Sequence, residues 1–272
     1  AVDHETADAV TVTIRPGRGW AGHVAGQYIR IGVDVDGVRH WRAYSLTCPA
    51  APTADVIAIT VKAIPDGVVS GHIVRALRPG TLVALDQATG DFVLPDPLPP
   101  RILFLTAGSG ITPVLSIIKT VLAREPQSRF TLVYANRQIN SIMFREELED
   151  LKNLYLGRFA VMHILETEGQ EIDLFTGRID AEKMAGLFKH WIEAEGVDTA
   201  FICGPEPMML TVAQGLRDHG LGDEQIKFEL FASAPRRGTA RVWPRASRRF
   251  RTSLAPCSPS PSPARSSRCG SS

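Results

Sequence analysis

Arg101-Ile102-Leu103-Phe104-Leu105-Thr106-Ala107-Gly108-Ser109-Gly110-Ile111-Thr112-Pro113 is the stretch that decides the fold of this chain. Residues 101–105 form a nearly continuous apolar run, the pattern of a parallel strand buried on both faces. The glycines that follow permit a tight turn and a close backbone approach to a phosphate. Pro113 fits the first turn of a helix, and helical periodicity runs from Pro113 to about Arg124. The turn departs from the G-x-G-x-x-G fingerprint. On its own such a turn is more often structural.

Downstream, the same alternation repeats. Residues 130–134, 160–165, 199–203 and 226–231 read as strands, and 144–151, 183–192 and 207–219 as helices. This predicts a doubly wound α/β domain with a mostly parallel sheet. Upstream the grammar differs. Short β-branched or alternating runs at 9–15, 28–35 and 55–64, and strand-like pieces at 83–85 and 91–94, are punctuated by Gly26, Gly32, Gly37 and Pro49. They predict a small antiparallel β-barrel. It carries one short helix, Ser70 to Leu77, capped by Ser70. Pro95, Pro97, Pro99 and Pro100 mark the boundary. The expected division is a barrel over 1–97, an α/β domain over 98–233 and a tail over 234–272.

The net charge of +1 over 272 residues is an average of two unlike parts. After residue 234 there are nine arginines and neither lysine nor acid, while the preceding residues carry 21 Lys plus Arg against 29 Asp plus Glu. The Pro- and Ser-rich tail is expected to be mostly disordered. It reads as a flexible basic linker or as the product of a reading-frame change. A nucleic-acid arm is disfavoured, because only Trp243 and Phe250 interrupt the basic residues. No apolar run of about 18 residues predicts a membrane span. The start, Ala1-Val2-Asp3-His4-Glu5, is polar and acidic, and no signal peptide is expected. Cys48, Cys203, Cys257 and Cys269 form no CxxC pair. Neither a metal site nor a disulfide framework is expected, and a reducing cytoplasmic setting is.

Arg42-Ala43-Tyr44-Ser45-Leu46 follows a predicted strand at 37–41. Alternation puts Arg42 and Tyr44 on one face. A guanidinium can grip a pyrophosphate as a fork, an aromatic ring can cover a flat cofactor ring, and a hydroxyl can bond a ring nitrogen. An exposed arginine beside a barrel-packed tyrosine is the plainer alternative. Cys203-Gly204-Pro205 follows another strand. A small sulfur and a glycine turn would admit a flat ring. A buried strand-end cysteine is again the plainer reading.

The order of these segments resembles the ferredoxin–NADP reductase superfamily, especially the reductases of bacterial oxygenase and desaturase electron chains. The resemblance covers roughly residues 5–232. Arg42, Tyr44 and Ser45 match the family's RxYS motif. They imply FAD binding, with Arg42 on its phosphate, Tyr44 packed on the isoalloxazine, Ser45 near its N5, and Leu46 alongside. Gly67-Val68-Val69-Ser70 matches a Gly-x-x-Ser helix start, whose bare amides suit the flavin pyrophosphate. This adds Gly67, Val69 and Ser70 to the FAD contacts. Gly26-Gln27-Tyr28 and Gly90-Asp91-Phe92 match two further family elements. Gly108, Gly110, Thr112 and Pro113 match GxGxTP, which contacts the NAD(P)H pyrophosphate. Cys203, Gly204 and Pro205 match the CGP segment, where nicotinamide meets flavin. Met208 and Met209 are expected to pack their helix.

By this resemblance Tyr44, Ser45 and Cys203 stand nearest the hydride transfer. The role of Glu229 stays open between the flavin and simple packing. Arg137, after Ala135-Asn136, and Arg178, after Thr176-Gly177, lean the cofactor choice to NADPH over NADH. Arg137 reads equally as a surface residue. The expected reaction passes hydride from NAD(P)H to FAD, then single electrons to a ferredoxin-type [2Fe–2S] partner of an oxygenase or fatty-acyl desaturase, which puts the chain at the periphery of a membrane enzyme where that partner is membrane-bound. Direct delivery to a quinone or haem partner, or a non-catalytic truncated fragment, are the alternatives. Relatives often continue into a plant-type iron–sulfur domain needing four cysteine thiolates. Cys257 and Cys269 have the wrong spacing, and no cluster is expected in this chain. Residues 6–20 resemble an internal barrel segment, so the first barrel strand is expected to be missing.

Overall fold

Val10 and Val12, Ile29, Ile31 and Val33, and Ile57, Ile59 and Val61 alternate along three segments, and all are buried in one cluster. That period of two makes strands with one wet and one dry face. The computed structural model describes residues 1–51 and 55–231. Strands β1 (Val2–Thr6), β2 (Ala9–Ile14) and β5 (Ile57–Lys62) form one antiparallel sheet, in the order β1-β2-β5. Strands β3 (Tyr28–Val35), β4 (Val38–Ser45) and the short β6 (Ala84–Leu85) form another, in the order β4-β3-β6. A bridge between Leu46 and Ile59 joins them. Helix α1 (Val68–Ala76) drives Val69 and Ile73 into the shared core.

The second half is a five-stranded parallel sheet built from β7 (Arg101–Ala107), β8 (Arg129–Asn136), β9 (Phe159–Leu165), β10 (Thr199–Cys203) and β11 (Ile226–Glu229), in the order β11-β10-β7-β8-β9. Helices α2 (Ile111–Arg124), α3 (Arg145–Leu154), α4 (Ala181–His190) and α5 (Glu206–Asp218) cover it. Central β7 explains the apolar run. Phe104 packs with α2 and α3 residues on one face, whereas Leu103 and Leu105 pack with α4 and α5 residues on the other. Each such side chain contributes about 1.5–3 kcal/mol by burial. The fold is therefore the expected one: antiparallel sheets, then a doubly wound parallel sheet.

Helix α2 also fastens the halves together. Ser116 Oγ donates to the Cys48 carbonyl at 2.7 Å, Thr120 Oγ1 accepts from Ala50 N at 2.9 Å, and Arg124 Nη2 donates to the Ala50 carbonyl at 2.6 Å.

Several local expectations are corrected. Val2–Thr6 is a strand paired antiparallel with β2, so an early barrel strand is present. Its exposed His4 and Asp3 hid it from the hydrophobic pattern. Helix α1 starts at Val68, with Gly67 in the capping position; Ser70 lies inside the first turn and its hydroxyl accepts from Ile64 N at 3.3 Å. Residues 91–94 are not a strand. Phe92 instead buries its ring edge-on against Phe201 of β10, 5.0 Å between centroids. Helix α2 begins at Ile111, after a 3₁₀ turn over Gly108–Gly110. Arg42, Tyr44 and Ser45 lie within β4 itself. The tail expectations, with Cys257 and Cys269, lie outside the described residues.

Candidate functional site

The register of β4 against β3 sets the flavin-side residues. Arg42 pairs with Ile31, Tyr44 with Ile29 and Ser45 with Tyr28. Arg42 is exposed and its Nη1 donates to the Trp41 carbonyl at 2.7 Å. Tyr44 is half-buried. Burial pushes its phenol up to about 12, against the smaller opposing pull of Arg42, so the ring is neutral at physiological pH. Ser45 is buried and its Oγ has no partner. A buried hydroxyl left unpaired costs about 1–3 kcal/mol. Leu46 is fully buried, with its amide donating to the Gln27 carbonyl at 3.0 Å.

At the start of α1, a Cβ on Gly67 would strike Ser70 Oγ and the Ile64 side chain. Glycine is required there by space. The Val69 side chain faces the barrel core. What the turn has to offer a ligand is the amides of residues 68–70, which precede the first intrahelical bond, Gly71 N to Gly67 O at 2.9 Å.

The nucleotide-side loops meet at the carboxyl rim of the parallel sheet. Gly108 has φ +51°, and its carbonyl accepts from Tyr134 Oη at 3.0 Å. Thr112 Oγ1 donates to the Ser109 carbonyl at 2.9 Å, and Pro113 is buried in the first turn of α2. A Cβ on Gly110 would overlap the Cys203 carbonyl, and one on Gly204 would lie 3.0 Å from Met208 Sδ and 3.2 Å from Ala107 Cβ. The loops after β7 and β10 are thus in backbone contact. Pro205 opens α5, and Met209 packs into the core below.

Register places Glu229, Cys203, Thr106, Tyr134 and His163 in one row across the five strands. Burial, and then Glu229, push the Cys203 thiol well above its usual range, so it is a neutral thiol. Burial, and then Asp91, push the Glu229 carboxyl up to about 7. Thr106 Oγ1 is fully buried without a partner, one strand from Cys203. Neither Thr106 nor Asp91 was picked out as a site residue from the sequence. Thr106 ends an apolar run and carries no motif of its own.

Residues 14–94 match the oxidoreductase FAD-binding domain and residues 104–214 the oxidoreductase NAD-binding domain. The chain belongs to the ferredoxin–NADP reductase superfamily. It carries an FAD-binding and an NAD-binding domain of the oxidoreductase type. It is 38% identical over 234 residues to an NADPH oxidoreductase of Mycobacterium tuberculosis, covering 85% of this chain and 58% of the relative. It is 37% identical over 193 residues to the ferredoxin reductase component of a 3-ketosteroid-9-alpha-monooxygenase of Mycolicibacterium smegmatis, covering 71% of this chain and 50% of the relative. The chain therefore spans little more than half the length of these relatives. Its fold superposes on the FAD/NAD binding domain of a nitric oxide dioxygenase from Vibrio cholerae with TM-score 0.74 and 26% identity, covering 85% of this chain and 95% of that one.

The residues of this superfamily member fit its cofactors. The unpaired Ser45 hydroxyl suits a flavin ring nitrogen, and the α1 amides and Gly108–Gly110 turn suit pyrophosphates. Arg137 is exposed just beyond β8, and its carbonyl accepts from both Thr167 N and Thr167 Oγ1 at 2.9 Å. Arg178 is exposed and ion-paired with Glu166, at 2.7 Å. Among the described residues no helix is long and apolar enough to cross a membrane, and no three His, Cys, Asp or Glu cluster as metal ligands.

Proposed function

We propose that the chain is an FAD-dependent NAD(P)H reductase that passes single electrons to a ferredoxin-type [2Fe–2S] protein or domain serving an oxygenase or desaturase. The observation that carries this reading is the backbone contact between Gly110 and Cys203, which brings the pyrophosphate loop and the nicotinamide loop to one rim. Held by these residues, FAD would supply the chemistry of hydride acceptance from NAD(P)H and one-electron release.

Each protein group has an assigned task. Arg42 and the amides at the start of α1 hold the flavin phosphates, Tyr44 covers the ring as a neutral phenol, and Ser45 Oγ donates to a ring nitrogen. Gly108, Gly110, Thr112 and Pro113 hold the nucleotide pyrophosphate. Cys203, Gly204 and Pro205 bound the nicotinamide, and a neutral thiol there adds no charge to oppose hydride movement. Arg137 and Arg178 favour NADPH. Two glycine-lined loops in contact are chiefly a positioning device. The ferredoxin reductase role of the mycobacterial relative supports the acceptor class.

The test is anaerobic addition of NADPH or NADH to the FAD-loaded protein, followed by a [2Fe–2S] ferredoxin. Loss of the oxidised-flavin absorbance, then ferredoxin reduction, is expected. Flavin that stays oxidised with both nucleotides rejects the reading. A second reading, delivery to a haem partner, is favoured by the likeness to the dioxygenase domain. Reduction of a haem protein but not of ferredoxin would select it.

A further inference from the structure

Helix α2 is buried along most of its length, and its buried polar residues are Thr112, Ser116 and Thr120. Arg124 continues the series, so every fourth residue from 112 to 124 is polar. Four residues make slightly more than one turn, and the four side chains form one stripe about 18 Å long that drifts by about 40° per step. Buried hydroxyls are tolerated in such a helix where each finds a partner. At the amino end Thr112 Oγ1 donates to the Ser109 carbonyl and closes the glycine turn. The other three residues hold the segment that leaves β4. Ser116 Oγ donates to the Cys48 carbonyl at 2.7 Å. Thr120 Oγ1 accepts from Ala50 N at 2.9 Å and donates to the Ser116 carbonyl at 2.7 Å. Arg124 Nη2 donates to the Ala50 carbonyl at 2.6 Å. Both backbone polar groups of buried Ala50 are thus satisfied from α2. Between Ser45 and this anchor the chain has no slack: Leu46 and Thr47 are buried, and their amides donate to the Gln27 and Ala58 carbonyls at 3.0 and 2.9 Å.

We propose that Thr120 and Arg124 are positioning residues for hydride transfer: by pinning Ala50 they fix the flavin strand against the nucleotide loop that opens the same helix. The proposal rests on the reductase reading above. The flavin residues stand on the barrel and the nucleotide residues on the parallel sheet, and a small misplacement of one against the other is costly in rate. The halves also meet at Phe92 and Phe201, but an apolar contact is non-directional, whereas the bonds of the stripe fix distance and direction. Thr120 and Arg124 act through the Ala50 backbone, not by touching a cofactor.

Anaerobic stopped-flow reduction of the FAD-loaded full chain, over a range of NADPH and of NADH concentrations, separates the nucleotide dissociation constant from the limiting rate of flavin reduction. Thr120→Val is expected to lower the limiting rate about tenfold and to leave the dissociation constant unchanged. Thr120→Ser keeps the hydroxyl and should restore the wild-type rate. Arg124→Ala truncates an exposed side chain, so it tests the tie even if Thr120→Val does not fold. It should slow reduction about fivefold, and Arg124→Lys should regain part of the loss. Lys119→Ala breaks an ion pair from α2 to Glu147 of α3, inside the sheet half, and should change neither quantity. Wild-type rates in both Thr120→Val and Arg124→Ala overturn the positioning role alone. So does a Thr120→Ser rate as low as that of Thr120→Val, an equal slowing in Lys119→Ala, or a loss confined to the dissociation constant. Wild-type flavin that neither nucleotide reduces overturns the reductase reading, and this role with it.

Discussion

Gly110 lies against the backbone of Cys203, so close that a single added methyl group would overlap the Cys203 carbonyl oxygen. Its own φ of −62° suits any residue, so space and not conformation demands glycine. Gly108 is the opposite case, with φ +51° and open space around it. Because the obstacle at Gly110 is backbone, it cannot rotate away. Gly110→Ala is expected to destabilise the protein by about 1–3 kcal/mol, the usual cost of overpacking. By parting the two loops it should slow flavin reduction by at least tenfold, since small misplacements at a reacting centre are costly. Urea unfolding and anaerobic stopped-flow absorbance measure the two effects; a variant equal to wild type in both would show that the loops need no contact.

Ser45 separates stability from function. Its buried hydroxyl has no partner in the protein. Ser45→Ala removes an unpaired polar group, and the FAD-free variant should be as stable as wild type or up to about 1 kcal/mol more stable. The same change should slow reduction of bound FAD by about tenfold, by deleting a hydrogen bond that strengthens with developing charge. Thermal unfolding of the FAD-free forms, beside reduction kinetics of the loaded forms, checks both halves. A destabilised apoprotein would mean that Ser45 serves the fold.

Phe92 joins the two halves through its edge-on contact with Phe201. Phe92→Ala is expected to cost about 3–5 kcal/mol. Chemical unfolding should then show two separated transitions instead of one, followed by barrel and sheet tryptophan or tyrosine signals. A single transition with an unchanged midpoint would deny Phe92 that role.

How these residues read in the sequence follows from what each contacts. Strand β7 was legible because both of its faces are covered, Phe104 on one side and Leu105 on the other, and so it lacks alternation. Residues 91–94 carry the same apolar signal for a different reason: Phe92 is an anchor into another layer, and local pattern cannot tell anchor from strand. Strand β1 was hidden by its polar edge. Cys203 was legible through the glycine turn after it. The pairings that tune charge, Glu229 with Asp91 and Arg178 with Glu166, join separate elements. No periodicity encodes them, and only the register and turns of the folded chain bring them together.

Glu229 gives a pH dependence with a definite sign. Its carboxyl is raised from 4.5 to about 7, first by burial and then by Asp91. Between these values the folded protein holds a proton there that the unfolded chain has released, so stability falls as pH rises from about 4.5 to 7. Below 4.5 both states are protonated, and above 7 neither is. Partial exposure screens the charge, so the loss is discounted to about 1 kcal/mol. Glu229→Gln should abolish this component: the variant is expected to match wild type near the acid end of the window and to exceed it above the upper pKa. Urea midpoints collected across the window measure the difference. Parallel pH curves for the two proteins would mean that Glu229 is ionised throughout, with an ordinary carboxylate pKa.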